Sequence, residues 1–156
     1  MKATRNEQDN CPKPLSFSVI MTSYRRLHLA WRAIKSVRDQ TWPHWELIVV
    51  DDNSGQAVSQ ALIEAFERDA RCRLVSTSVS DAERSLSCRY SVCINIGLEL
   101  ASGDIITYLT DDDYYMPIRL ERMADQFAGD PDIMVVYGNQ LVLDLDESDR
   151  LVRVRG

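Results

Sequence analysis

Ile105-Ile106-Thr107-Tyr108-Leu109-Thr110-Asp111-Asp112-Asp113 is the stretch whose reading decides the fold. A short, mostly apolar run of this length reads as a buried strand, and here it ends in three consecutive carboxylates. Adjacent ionised carboxylates repel one another, so a fold that places them at a strand end needs a counter-charge nearby. Helical patterning follows the run, which sets the acids at the carboxyl end of a parallel strand, where open α/β sheets bind ligands. The functional reading is a ribose and divalent-metal site built from hard oxygen donors. The competing reading is an exposed acidic turn, and the rest of the chain decides between the two.

Working outward, strand and helix alternate. Phe17 to Thr22 is a strand, followed by the polar loop Ser23-Tyr24-Arg25-Arg26. Leu27, Ala30, Trp31, Ile34 and Val37 recur at helical spacing and stop before Pro43. Glu46 to Val50 is a second strand, ending in Asp51-Asp52-Asn53-Ser54-Gly55. Val58, Leu62, Ala65 and Phe66 mark a helix, Arg73-Leu74-Val75 a short strand, and Tyr90, Cys93, Ile94, Gly97 and Ala101 another helix. Pro117 fits the first turn of a further helix carrying Leu120, Met123, Ala124 and Phe127. Asp132 to Leu143 reads as strand. Residues 1–15 read as a loose arm, 16–143 as one domain, and 144–156 as a charged tail. The order is that of a three-layer α/β/α, Rossmann-like sheet with right-handed crossovers. Three polar strand ends, at Thr22, Asp52 and Asp111, then fall on one edge, which favours a site over an incidental turn.

Bulk properties narrow the ligand. A net charge of −6 with no basic run argues against a nucleic-acid binder. No apolar run is long enough to span a bilayer, and Met1 to Asn10 lacks a signal-peptide core, so a cytoplasmic setting is expected. Cys11, Cys72, Cys88 and Cys93 form no CxxC pair, which disfavours zinc and suits free thiols. A phosphate-acceptor receiver domain needs a late lysine, whereas the lysines here are Lys2, Lys13 and Lys35. A dinucleotide fold or P-loop needs glycines after the first strand, and residues 22–26 have none. A phosphatase with an aspartate nucleophile needs its acids early.

A different nucleotide site remains. Tyr24 offers a stacking face, and Asp52 an acceptor for a base N–H. Asp111 suits ribose hydroxyls, Asp112 a metal bridging two phosphates, and Arg84 or Arg89 the base edge or diphosphate. Each has a plainer alternative: Asp51 as a turn cap, Arg89 as a solvated charge, Asp113 as a helix-entry acid, Cys88 and Cys93 as packing residues.

Ser18 to Tyr24, Ala33 to Val37, Gln40-Thr41-Trp42 and Glu46 to Ser54 resemble the opening of family-2 inverting glycosyltransferases of the GT-A fold. Asn95-x-Gly97, Ala101-x-Gly103-Asp104, Tyr108 to Asp112 and Pro117-x-Arg119-Leu120 continue the resemblance, so it runs from Phe17 to Asn139. The Thr-Asp-Asp form of the acidic motif most resembles the spore-coat polysaccharide glycosyltransferases. The resemblance implies transfer of a sugar from a UDP- or dTDP-linked donor in polysaccharide synthesis, with Mn²⁺ or Mg²⁺ as cofactor. It makes Thr22, Tyr24, Asp52, Arg84 and Asp111 nucleotide contacts and Asp112 the metal ligand. Thr110 stands where most of the family carries Asp, which shifts the division of roles among Asp111, Asp112 and Asp113. The family also implies an acceptor half beyond this chain, where the general base of an inverting transfer would reside. Asp144, Asp146, Glu147 and Asp149 read instead as a solvated run. The alternatives are a nucleotide-sugar-binding module without turnover and a structural subunit whose apolar face a partner or second copy covers.

Overall fold

The computed structural model describes residues 13–66, 69–146, 148 and 150–156. The expected arm before residue 13, Cys11, and the acids Glu147 and Asp149 lie outside the described residues. Two compact units divide the chain, Met1–Arg122 and Met123–Gly156.

The first unit is built on a four-stranded parallel sheet. Its strands are β1 (Phe17–Ser23), β2 (Trp45–Asp51), β3 (Cys72–Ser76) and β4 (Ile105–Thr110), in the order β3-β2-β1-β4. Helices α1 (Leu27–Arg38), α2 (Gln56–Phe66) and α3 (Arg89–Leu100) make the crossovers, and α4 (Arg119–Gly129) begins here. From β1 the chain steps to β2 and β3, then returns to place β4 on the other side of β1. Right-handed crossovers running in opposite directions put their helices on opposite faces, which yields the three layers. The reversal makes the junction of β1 and β4 the topological switch point, and the loops after both strands open there.

The core explains why these segments are strands. Val19, Ile20, Met21, Leu47, Ile48, Val49 and Val50 are fully buried, and such β-branched and long apolar residues suit strands covered on both faces. Registered pairs Ile20↔Ile48 and Thr22↔Val50 share one face. On that face α3 brings Cys93, Ile96 and Leu100 against Ile48 and Val50. Gly97 permits the approach, because a Cβ there would lie 2.4 Å from Ile20 Cγ2. On α1 the spacing of Ala30, Ala33, Ile34 and Val37 gives one fully buried stripe. Burying Ile34 and Val37 contributes roughly 1.5–3 kcal/mol each relative to exposure.

β4 departs from its sequence reading. It is an edge strand of the described sheet, with Leu109 buried but Tyr108 47% exposed. Several motif residues prove architectural. Gly103 N–H donates to Ser18 Oγ at 2.8 Å, and Asp104 Oδ2 accepts from the Ser16 amide and hydroxyl at 2.9 and 2.7 Å, at the end of the sheet away from the acids. Gln40 donates to the carbonyls of Ser36 and Met116 and accepts from the Leu120 amide, so it ties the end of α1 to the start of α4.

The second unit holds the remainder of α4 and an antiparallel hairpin, β5 (Val142–Leu145) and β6 (Leu151–Arg155). The strand read over Asp132 to Leu143 is therefore short and late, because residues 133–141 make no ladder. Part of the supposed tail is the partner strand β6. Its alternation of Leu151, Val152 and Val154 with arginines carries β-propensity that charge counting concealed.

Candidate functional site

The site sits at the switch point, where three loops are stitched together by their own hydrogen bonds. The Tyr24 amide donates to Asp111 Oδ2 at 3.1 Å, joining the end of β1 to the end of β4. The Asp52 amide donates to the Ser23 carbonyl at 2.8 Å, and the Arg25 amide to Ser54 Oγ at 2.7 Å, joining β1 to β2. Asp51 is fully buried beneath this corner and accepts from Ser54 N and Oγ and from Ser59 Oγ, which supports its reading as a turn cap. Arg25 and Asn53 both adopt positive φ, 58° and 59°. Asn tolerates that region, whereas Arg seldom does, so Arg25 stores strain that the surrounding bonds hold in place. Its guanidinium grips both oxygens of Asp81 at 3.1 Å, drawing in the loop after β3.

Asp52 is the electrostatic centre. Its Oδ1 accepts from Thr77 Oγ1 at 2.8 Å and Arg89 Nη2 at 2.6 Å. Its Oδ2 accepts from Arg84 Nη1 at 2.7 Å and Arg89 Nε at 3.1 Å. Burial alone would raise this carboxyl, but the hydrogen bonds from Arg89, Thr77 and Arg84 outweigh it and hold Asp52 well below the usual carboxylate range. Arg89, weighed between a nucleotide contact and a solvated charge, is a fork on a buried acid, which removes the solvated-charge alternative. Arg84 belongs to a single 3₁₀ turn, Arg84–Leu86, and its guanidinium lies 3.5 Å over the Tyr24 ring centroid. It also donates to the Asp52 carbonyl. Beneath them Cys93 is buried, and burial with the neighbouring Asp52 charge pushes its thiol up to about 12. Cys88 departs from the packing reading: it is exposed, at the start of α3.

The three acids after β4 diverge. Asp111 is buried, and burial raises its pKa against the opposing pull of the Tyr24 amide and Arg26. Asp112 is exposed and pairs with Arg26 Nη1 at 2.8 Å, while Arg32 Nη2 donates to its backbone carbonyl at 3.1 Å. Asp113 accepts from Thr110 Oγ1 at 2.8 Å in a tight turn well before Arg119 opens α4, so it is not a helix-entry acid. Among the described residues no three or more His, Cys, Asp or Glu side chains converge to hold a metal unaided. The donors nevertheless suit Mn²⁺ or Mg²⁺, which need only one or two carboxylates when phosphates supply further oxygens. A cation already stands there, since Arg26 Nη1 bridges Asp112 and Asp111 at 2.8 and 3.6 Å.

A polar cleft of about 190 Å³ gathers Thr22, Tyr24, Asp52, Arg84 and Asp111, with Asp112 just outside its lining. Arg26, Arg89 and Tyr90 join them, of which only Arg89 was an expected candidate for a nucleotide contact. The available signal was a cluster of arginines in the loops facing three acidic strand ends.

Fold and cleft together define a doubly wound α/β domain of the GT-A kind, with its acids and arginines at the switch point. The chain belongs to glycosyl transferase family 2, whose profile matches residues 18–153. It is 40% identical over 130 residues to protein CgeD of Bacillus subtilis, covering 83% of this chain and 30% of CgeD. It is 31% identical over 126 residues to the Escherichia coli UDP-Glc:alpha-D-GlcNAc-diphosphoundecaprenol beta-1,3-glucosyltransferase WfgD, covering 81% of this chain and 46% of WfgD. The chain thus spans less than half the length of these relatives. Among solved structures, the mannosyltransferase PcManGT from Pyrobaculum calidifontis, in complex with GDP-Man and Mn²⁺, superposes with a TM-score of 0.61 at 20% identity, over 78% of this chain and 34% of that one. No helix among the described residues is long and apolar enough to cross a membrane.

Proposed function

We propose that this chain carries the donor-binding site of a metal-assisted glycosyltransferase that takes a UDP- or dTDP-linked sugar and serves polysaccharide synthesis. The observation that supports it best is the Asp52 carboxylate, kept ionised among arginines at the mouth of β2 beside an aromatic ring. A carboxylate so placed can accept the N3–H of uracil or thymine. Arg84 reaches both parts of this position, donating to Asp52 Oδ2 and lying over the Tyr24 ring. Movement of Arg84 would free one lone pair of Asp52 Oδ2, which keeps its bond from Arg89 Nε, for the base edge, and would withdraw the nearer of the two guanidinium groups that lie over the Tyr24 ring. The guanidinium would then remain beside the nucleotide, as a charge-assisted contact to base or diphosphate.

Thr22 and Asp111 line the floor next to this position and fit the ribose hydroxyls. Asp112, exposed and directed outward, fits a cation shared with the diphosphate. When bound, that ion would offset charge on the leaving diphosphate; orientation of the donor falls to Tyr24, Asp52 and Asp111. No residue of this chain is assigned the base that activates the acceptor hydroxyl. Binding without turnover shares every one of these contacts and differs only in product. The Thr110-Asp111-Asp112 form of the motif supports the spore-coat branch of the family. Calorimetric titration of UDP, dTDP, CDP and GDP, with and without Mn²⁺, tests the binding reading. A radiolabelled-donor transfer assay separates it from turnover.

A further inference from the structure

Arg26 is a member of the cleft that neither the motifs nor the nucleotide contacts explain. A single nitrogen, Nη1, lies within ion-pairing distance of both Asp112 and Asp111, at 2.8 and 3.6 Å. Its surroundings are unequal. The Arg26 and Asp112 side chains are 51% and 50% exposed, whereas Asp111 is only 7% exposed and is fixed from behind by the Tyr24 amide. The main chain of Arg26 is also fixed. Its carbonyl accepts from Leu29 and Ala30 at 3.0 and 2.9 Å as the first turn of α1 begins, and the preceding residue is pinned to Ser54 and Asp81. What can move is the long side chain, and a pair this solvated holds it weakly. Arg32 differs, because it reaches the Asp112 carbonyl and leaves the carboxylate alone.

Resting on the nucleotide reading above, we propose that Arg26 is a built-in stand-in for the divalent cation. It neutralises Asp111 and Asp112 in the free protein, and is displaced when metal and nucleoside diphosphate arrive together. Two neighbouring carboxylates require a counter-charge, and one guanidinium supplies a single positive charge where the metal supplies two. A rotamer change suffices for the exchange, since the Arg26 backbone is anchored while its side chain already lines the cleft. Once released from Asp112, the guanidinium stays at the cleft wall, positioned to pair with the phosphates. The free protein therefore resists metal alone and accepts it with diphosphate. Arg26 is a positioning residue, coupling the two ligands through one side chain.

The test measures free Mn²⁺ from the electron paramagnetic resonance signal of the hydrated ion, titrated into the full chain, its Arg26→Ala and Arg26→Gln variants, and an Arg150→Ala control. Removing a solvated competitor should let both Arg26 variants bind Mn²⁺ alone about two- to fivefold more tightly than the parent chain. With Mn²⁺ saturating, the same variants should bind UDP about tenfold more weakly by calorimetry, because the phosphate contact is gone. Arg150→Ala should match the parent in both. Unchanged or weaker Mn²⁺ binding in the Arg26 variants overturns the proposal, as does unchanged UDP affinity. Absence of Mn²⁺ binding even with UDP overturns it too, and UDP titration in chelator then shows separately whether the nucleotide cleft stands.

Discussion

Tyr24 and Asp111, eighty-seven residues apart in sequence, are joined by a hydrogen bond of 3.1 Å from the Tyr24 amide to the Asp111 carboxylate. This bond crosses the junction at which the sheet reverses direction, and it turns two loop ends into one surface. The aromatic ring, the buried acid and the outward acid Asp112 inherit their relative positions from it. Asp52 enters the same surface through its amide bond to Ser23.

Asp52 should contribute to stability as well as to binding. Its side chain is 6% exposed and neutralises two arginines, so Asp52→Asn strands partly buried positive charge. Arg84 keeps Asp81 at 3.4 Å and both arginines retain contact with solvent, so the expected cost is about 1–3 kcal/mol. Denaturant unfolding of the variant should show a loss of that order; a loss below about 1 kcal/mol would mean the arginines are satisfied elsewhere.

The same group sets an acid limit. Its pKa is depressed in the fold from 3.8, so its contribution is present above pH 3.8 and is lost as pH falls below that value. Thermal midpoints of the parent chain should therefore drop between about pH 4 and pH 2 more steeply than those of Asp52→Asn. Parallel curves would contradict the assignment.

Much of this arrangement was legible in sequence, for a physical reason. Period and turn chemistry mark β1, β2, β4 and the helices, and parallel strands must carry their loops to one edge. Thr22, Asp52, Arg84 and Asp111 thus reach one cleft. What stayed hidden depends on side-chain direction. Arg26 looks like any solvated arginine until the fold aims it at Asp112, and Arg89, a candidate nucleotide contact in sequence, gives no sign there that it forks onto Asp52. Asp113 carries the same side chain as Asp112 yet accepts from Thr110 Oγ1 in a tight turn, a distinction that only the fold makes. The β5–β6 hairpin was missed because residues 144–156 are rich in charge, which in a two-stranded ribbon is no obstacle to pairing.

The thiols should report the packing of α3. Cys93 is buried with its pKa near 12, whereas Cys88 is exposed, with its pKa lowered chiefly by hydrogen bonding to Ser91. In a Cys11→Ser background, a thiol reagent at pH 8 should label Cys88 rapidly and Cys93 only after denaturant is added. Labelling of Cys93 in the native chain at a comparable rate would place α3 off the sheet.

Arg84 should matter more than its exposure suggests. Loss of a charge-assisted contact to the nucleotide costs about 1.5–3 kcal/mol, so Arg84→Ala should weaken UDP at least about tenfold. Arg150→Ala, outside the cleft, should leave UDP affinity where it was. Equal affinities for the two variants would remove Arg84 from the nucleotide contacts.

The base itself provides a further check. Uracil and thymine present a donor at N3 where cytosine presents a lone pair, and an unmatched buried acceptor costs roughly 1–3 kcal/mol. UDP and dTDP should bind about tenfold more tightly than CDP in competitive titration at fixed Mn²⁺. CDP or GDP binding as tightly as UDP would show that Asp52 does not read N3.

Calorimetric titration of UDP into the chain, with Mn²⁺ and then with chelator, tests the central claim most directly. A cleft whose outward acid shares a cation with the diphosphate should bind UDP in the presence of Mn²⁺ and lose at least about tenfold in affinity on chelation, since Asp111 and Asp112 then face the phosphates without the ion. Asp112→Asn should remove the Mn²⁺ dependence. No measurable UDP binding under either condition, or binding indifferent to both chelator and Asp112→Asn, would contradict the account.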